Sequence, residues 1–215
     1  MNPLMRAVRA IIPLLYVLGS LAPSMAATGV PYVVKPVAEM KVKQLPAGPL
    51  YWRIENFPSL DQAKAAASTY VWSPDTVSYR GSPSLVADIA GKAWLFTLGP
   101  RGGATAGGTK VGEIGPVPAI TAPEYLLRVN EGSGPPGAET PIHAHPGSEA
   151  FYVVAGRLGQ RTPGGTNYIE TGHTMNGHQP GMPMQVFNGG TTELTAIILF
   201  VVDATQPFSV PAKFE

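Results

Sequence analysis

Cysteine is absent from the 215-residue chain, and its absence excludes disulfides, thiolate metal sites, cysteine nucleophiles and a lipid-modified N-terminal cysteine. Charge is scarce too: charged residues make up 13% of the chain and the formal net charge is +1. No basic face can be traced along the sequence, which argues against a nucleic-acid partner. The apolar run at residues 10–21 is too short to span a bilayer comfortably and is interrupted by Pro13. The glycine-rich stretch 99–108 lacks the glycine spacing of a phosphate loop, and no helix pattern follows Lys110. A hairpin loop is expected there instead. No Gly-x-Ser-x-Gly nucleophile elbow occurs. The acids of a paired-carboxylate glycosidase would have to come from scattered residues such as Glu113, Glu131 and Glu170, and nothing in the sequence groups them.

What is present begins with an export signal. Arg6 and Arg9 precede the apolar run, and Ser24-Met25-Ala26 puts small residues at the two positions a signal peptidase reads. Residues 1–26 are therefore expected to be a cleaved signal peptide of a periplasmic or secreted protein, with no stable membrane insertion afterwards. That segment carries two arginines and no acids, so its removal leaves 13 basic against 14 acidic residues, a formal charge of −1.

The 25 glycines and 23 prolines point to many short strands and tight turns. Residues 27–50 read as an extended, Pro-punctuated arm. One helix is predicted over 60–70, with Ser59 as N-cap, Asp61 in its first turn and a run of alanines as helix formers. A strand start is predicted at 51–54, and further strands at 84–89, 93–98, 125–129, 142–145, 149–155, 167–170, 184–187 and 195–202, with turns at 132–137, 163–165, 180–181 and 188–190. This spacing argues an all-β sandwich or barrel rather than a parallel α/β sheet.

The chemistry concentrates between His143 and His178, which hold between them all four histidines of the chain. His143 and His145 are two apart, so on a strand they share a face. Pro146-Gly147 turns the chain, and Glu149 opens a new apolar strand, Phe151-Tyr152-Val153-Val154, where a carboxylate is costly to bury unless it serves a purpose. Two imidazoles and a carboxylate suit a divalent transition metal: Cu, Fe, Mn, Ni or Zn. Three ligands on one side would leave open positions opposite, as a catalytic metal needs.

The stretch resembles the first signature motif of the cupin superfamily: a glycine, five residues, His-x-His, three residues, Glu, six residues, glycine. Gly137, His143, His145, Glu149 and Gly156 match each spacing. The second motif is matched less closely by Gly172, Pro180, Gly181 and Asn188, and Met184 stands where that motif carries its histidine ligand. Three readings of this departure are open. Met184 is a thioether ligand, which would favour copper; or His178, less readily His173, swings in; or Met184 only packs. The resemblance implies a single cupin barrel, a jelly-roll-like double-stranded β-helix, at residues 120–205. Before it lies an N-terminal extension (27–119) with extra strands and one short helix, and after it a C-terminal tail (206–215).

The resemblance also implies small-molecule chemistry. The expected function is a metal-dependent, dioxygenase-like oxidoreductase acting on a small organic molecule. His143, His145, Glu149 and Met184 would stand around the metal, and Tyr152 and His178 would be catalytic or proton-transfer residues. The alternative is a non-catalytic periplasmic metal- or ligand-binding cupin. A homodimer built on the N-terminal arm is a further implication; otherwise the arm covers an edge of its own barrel.

Overall fold

In the computed structural model, residues 30–67, 71–73 and 78–214 are described. The expected signal peptide, 1–26, lies outside them. The described residues form sixteen strands and one short helix. In order these are β1 (Val33–Val42), β2 (Tyr51–Phe57), α1 (Leu60–Ala66), β3 (Val71–Ser73), β4 (Ser78–Arg80), β5 (Ser84–Ile89), β6 (Lys92–Gly99), β7 (Thr109–Ile114) and β8 (Tyr125–Gly134). There follow β9 (His143–Ala144), β10 (Gly147–Ala155), β11 (Arg157–Thr162), β12 (Gly165–Glu170), β13 (Thr174–Met175), β14 (Gln185–Asn188), β15 (Leu194–Asp203) and β16 (Val210–Pro211). The all-β class expected from the turn spacing holds.

Two sheets dominate the C-terminal half, one of five strands in the order β1-β8-β15-β10-β13 and one of three in the order β12-β11-β14. All their pairings are antiparallel. Between them lies a core that includes Phe151, Val153, Leu158, Val186, Ile198 and Phe200. The N-terminal half contributes a four-stranded sheet, β5-β6-β2-β7, stacked on the outer face of the five-stranded one. Trp52, Ile54, Trp94 and Phe96 pack there with Leu127, Val129, Leu199 and Val201.

Strand β15 shows why its sequence reads as an unbroken apolar run. Ala196, Ile198 and Phe200 face the barrel interior, whereas Ile197, Leu199 and Val201 face the N-terminal sheet. A strand buried on both faces loses the alternation of a half-exposed one.

The N-terminal arm is more regular than its prolines suggest. Its residues 33–42 pair along the whole of β8, so within the chain the arm covers the edge of its own barrel. Helix α1 begins as expected, with the Ser59 hydroxyl accepting from the Gln62 N–H at 3.2 Å. It is shorter than the predicted span. Ala67 is its C-cap, with ψ at 131°, and that extended backbone ends the helical hydrogen bonding. Ala63 buries its methyl against Ala93 and Leu95.

The glycine-rich segment is a loop between β6 and β7 but not the expected hairpin, because β2 lies between those two strands in the sheet. Carboxylates accept from two of its backbone N–H groups. Glu55 accepts from the Thr105 N–H at 2.7 Å and the Thr105 hydroxyl at 2.6 Å, while Glu113 accepts from the Gly102 N–H at 2.8 Å. Burial alone would raise the Glu55 carboxyl, but the Thr105 and Arg53 hydrogen bonds outweigh it and hold the group below its usual range. Strands β7 and β11 were not anticipated. In β11 the inward position next to Leu158 on the same face is Gln160, fully buried, and a polar residue there breaks the apolar pattern that marks a strand. No helix among the described residues is long and apolar enough to cross a membrane.

The β5–β6 turn carries a positive φ at both Ala90 (51°) and Gly91 (69°). Two such residues are the signature of a hairpin turn that favours Asn-Gly. Replacing Ala90 by Asn is expected to raise stability by about 0.5–1 kcal/mol, read as a higher denaturation midpoint with an unchanged denaturant slope.

Candidate metal centre

His143 ends the crossing from β8, paired to Met184 across an isolated bridge with backbone hydrogen bonds of 2.9 and 2.8 Å. His145 lies past the short β9. Gly147 then passes so close to β15 that a Cβ would run into the Val201 carbonyl. Only glycine permits this approach, and it brings Glu149 into the barrel opposite Phe200.

The three side chains converge. One ligand atom from each of His143, His145 and Glu149 lies within 4.8 Å of the other two. The imidazole rings stand edge to face with centroids 4.9 Å apart, and His145 Nε2 is 4.0 Å from a Glu149 oxygen. Each histidine is oriented through its other nitrogen. His143 Nδ1–H donates to the Pro141 carbonyl at 2.8 Å, and His145 Nδ1–H donates to the Phe208 carbonyl at 2.6 Å. A carbonyl can only accept, so in both rings the proton sits on Nδ1 and the Nε2 lone pair is free. This is the outer-sphere arrangement that sets a metal-binding histidine.

The donor set fits a cation by a further test. His145 Nε2 and Glu149 Oε2 are buried and have no hydrogen-bond partner, although such groups are costly to leave unmatched. Burial pushes the Glu149 carboxyl up to about 8. His145 is brought down to about 4, chiefly by burial, with the Phe208 hydrogen bond opposing and the fields of His143 and Arg128 assisting. At neutral pH the metal-free site thus holds a neutral imidazole and a protonated carboxyl.

A cavity of about 430 Å³ opens beside the triad. Its walls come partly from outside the expected barrel. Tyr32 and Val34 belong to the N-terminal arm, and Phe208, Ser209, Val210 and Pro211 to the C-terminal segment. Strand β16 is held there by pairing with β9. The Phe208 ring sits 4.8 Å from the His145 ring and 4.9 Å from that of Phe200. Sequence reasoning missed both contributions. The one hint was an aromatic and aliphatic cluster, Phe208 to Pro211, in a segment set aside as a tail.

The other expected site residues lie elsewhere. Tyr152 is on the opposite face of β10 from Glu149, packed edge to face on Trp94 at 5.8 Å, so the structure does not bring it to the triad. Strand alternation sends positions 149 and 152 to opposite sides. His178 borders a separate surface pocket with His173 and Glu170, and its Nε2 is hydrogen-bonded to the side-chain amide oxygen of Gln160, Oε1. Met184 is buried beside His143 but is not among the cavity-lining residues; its sulfur accepts from Gln160 Nε2 at 3.5 Å. Asn188 locks a turn, donating to the Gly134 and Thr192 carbonyls at 2.9 and 2.8 Å.

The two shifted groups set a testable pH dependence. In the unfolded chain Glu149 and His145 titrate near 4.5 and 6.5. Between those values the folded state holds a proton on Glu149 and the unfolded state one on His145, so their effects cancel. From about 6.5 to about 8 only the folded state keeps its proton, and stability falls as pH rises. The melting temperature of chelator-treated protein should therefore drop across that window, and Glu149→Gln should flatten the drop. A metal-free melt that rises from pH 6.5 to 8 contradicts the assignment.

No protein-family model matches the chain, and no curated protein matches it. Among solved structures, a cupin-like protein from Thermotoga maritima is similar at 19% identity over 41% of this chain and 65% of its own, with a TM-score of 0.37. A DMSP lyase from Ruegeria pomeroyi is similar at 21% identity, 41% and 44% coverage and a TM-score of 0.36. An oxalate oxidase in complex with the substrate analogue glycolate gives 25% identity, 39% and 45% coverage and a TM-score of 0.34. The likeness is confined to about two fifths of this chain and spans less than two thirds of each of these proteins. The chain's own motif spacing resembles the first cupin signature, and its C-terminal half forms paired antiparallel sheets around the convergent triad.

Proposed function

We propose that this chain is an exported metal-dependent enzyme, an oxidoreductase of dioxygenase-like type acting on a small organic molecule. One observation supports it above the rest: three metal-type donors lie along one side of a cavity of about 430 Å³, within the size range of small-molecule sites. His143, His145 and Glu149 would hold a divalent transition metal. When bound, such an ion supplies Lewis acidity and, if redox-active, electron transfer.

The chain's own residues prepare the site. The carbonyls of Pro141 and Phe208 fix both imidazoles with Nε2 directed away from the hydrogen-bonded side. On binding a cation Glu149 would give up its proton, so metal uptake would be coupled to proton release. Ile198, Phe200, Val186 and Phe208 line the cavity with apolar surface and keep water low around the reacting groups. Met184 is read as a packing residue rather than a fourth ligand, because its sulfur is turned to Gln160, and copper draws no support from it. Export rests on the sequence of residues 1–26.

Elemental analysis of purified protein, with competition titrations, tests the metal reading. His143→Ala and Glu149→Gln should each weaken binding by more than the roughly 10- to 100-fold typical of outer-sphere changes, whereas Met184→Leu should leave one metal per chain. A metal content unchanged by the first two variants, or full turnover after chelation, sinks the proposal.

A further inference from the structure

Besides the three donors the cavity carries two further buried polar residues, one of them, Tyr32, within the field of Glu149. Tyr32 and Asn130 both line it, and the Tyr32 hydroxyl and Asn130 Oδ1 are buried with no hydrogen-bond partner. Tyr32 and Asn130 are 7% and 1% exposed, so bulk water does not satisfy them. They come from neighbouring stretches of chain, the lead-in to β1 and strand β8. Tyr32 immediately precedes β1, and its hydroxyl lies over Gly132, where a Cβ would run into it. Asn130 is two residues from Gly132 on β8, hence on the same face and about 6–7 Å along the strand. Buried polar groups left open in this way are costly unless a ligand completes them.

Their chemistry is specific. Asn130 Oδ1 only accepts, and a tyrosine hydroxyl both donates and accepts. One ligand hydroxyl can give its proton to Asn130 and take the Tyr32 proton. The remaining walls are aliphatic or aromatic: Val34, Ile142, Val186, Ile198, Phe200 and Phe208.

No Lys or Arg lines the cavity among the described residues. The Arg128 guanidinium, which lies over the Phe208 ring at 4.2 Å, is paired with Glu39 at 2.8 Å. Away from the metal ligands, then, nothing is placed to neutralise a carboxylate or phosphate.

We propose that the cavity takes an uncharged, largely apolar small molecule carrying a hydroxyl group, and that Tyr32 and Asn130 are the specificity-determining residues that seat this hydroxyl. The inference rests on the reading of this cavity as the substrate site, but it does not need the metal to be present.

The test uses 4-methylphenol, toluene and 4-methylbenzoate as probes, with dissociation constants measured by calorimetry on the full mature chain, both chelated and metal-loaded. In chelated protein 4-methylphenol should bind about tenfold tighter than toluene, and tighter than 4-methylbenzoate. Tyr32→Phe, Asn130→Leu and Gly132→Ala should each remove most of the phenol-over-toluene preference. Toluene binding within about twofold of the wild type would show that the cavity itself persists in the variants. The proposal is overturned if phenol and toluene bind alike, if none of the three binds, or if the preference survives all three variants. It is equally overturned if 4-methylbenzoate binds tightest and loses that advantage in Arg128→Met. A protein that takes up no metal but keeps the phenol preference would remove the metal reading and leave this one standing.

Discussion

The carboxyl of Glu149 and the free nitrogen of His145 lie 4.0 Å apart inside the barrel, both buried and both without a protein partner. Each such group costs about 1–3 kcal/mol when left unmatched. Much of the local architecture exists to hold them there. Gly147 allows β10 to approach β15 closely enough to bring Glu149 inside, and the Phe208 carbonyl fixes the His145 tautomer. The surrounding aromatic rings deepen the burial that shifts both groups towards their neutral forms.

That arrangement explains why the last strand and the N-terminal arm matter beyond packing. Phe208 arrives from a segment joined to the barrel by the short pairing of β16 with β9. Tyr32 comes from the stretch that leads into β1. Both ends of the described chain therefore meet at the cavity, and the site is assembled from residues almost the full length of the protein apart.

How far the site was legible follows from sequence distance. His143, His145 and Glu149 fall within seven consecutive residues, so their spacing alone announces a shared face and a turn. Tyr32, Asn130 and Phe208 reach the cavity only through strand pairing across the sheet, and no local pattern marks them. The position of Tyr152 was open to better reasoning, since the parity of a strand puts it opposite Glu149. Strands with clear apolar patterning, such as β5, β10 and β15, were found close to their observed limits. Strand β11 was hidden by Gln160 at an inward position, and that glutamine bridges Met184 and His178, which is why neither can be understood from its neighbours in sequence.

Because β15 gives alternate side chains to two different cores, the barrel and the N-terminal sheet share a wall. Leu127, Leu199 and Val201 would become bare apolar surface if the four-stranded sheet were detached, a contiguous patch that soluble proteins rarely tolerate. The same strand β15, whose outer face packs on the N-terminal sheet, is paired directly to the strand that carries Glu149.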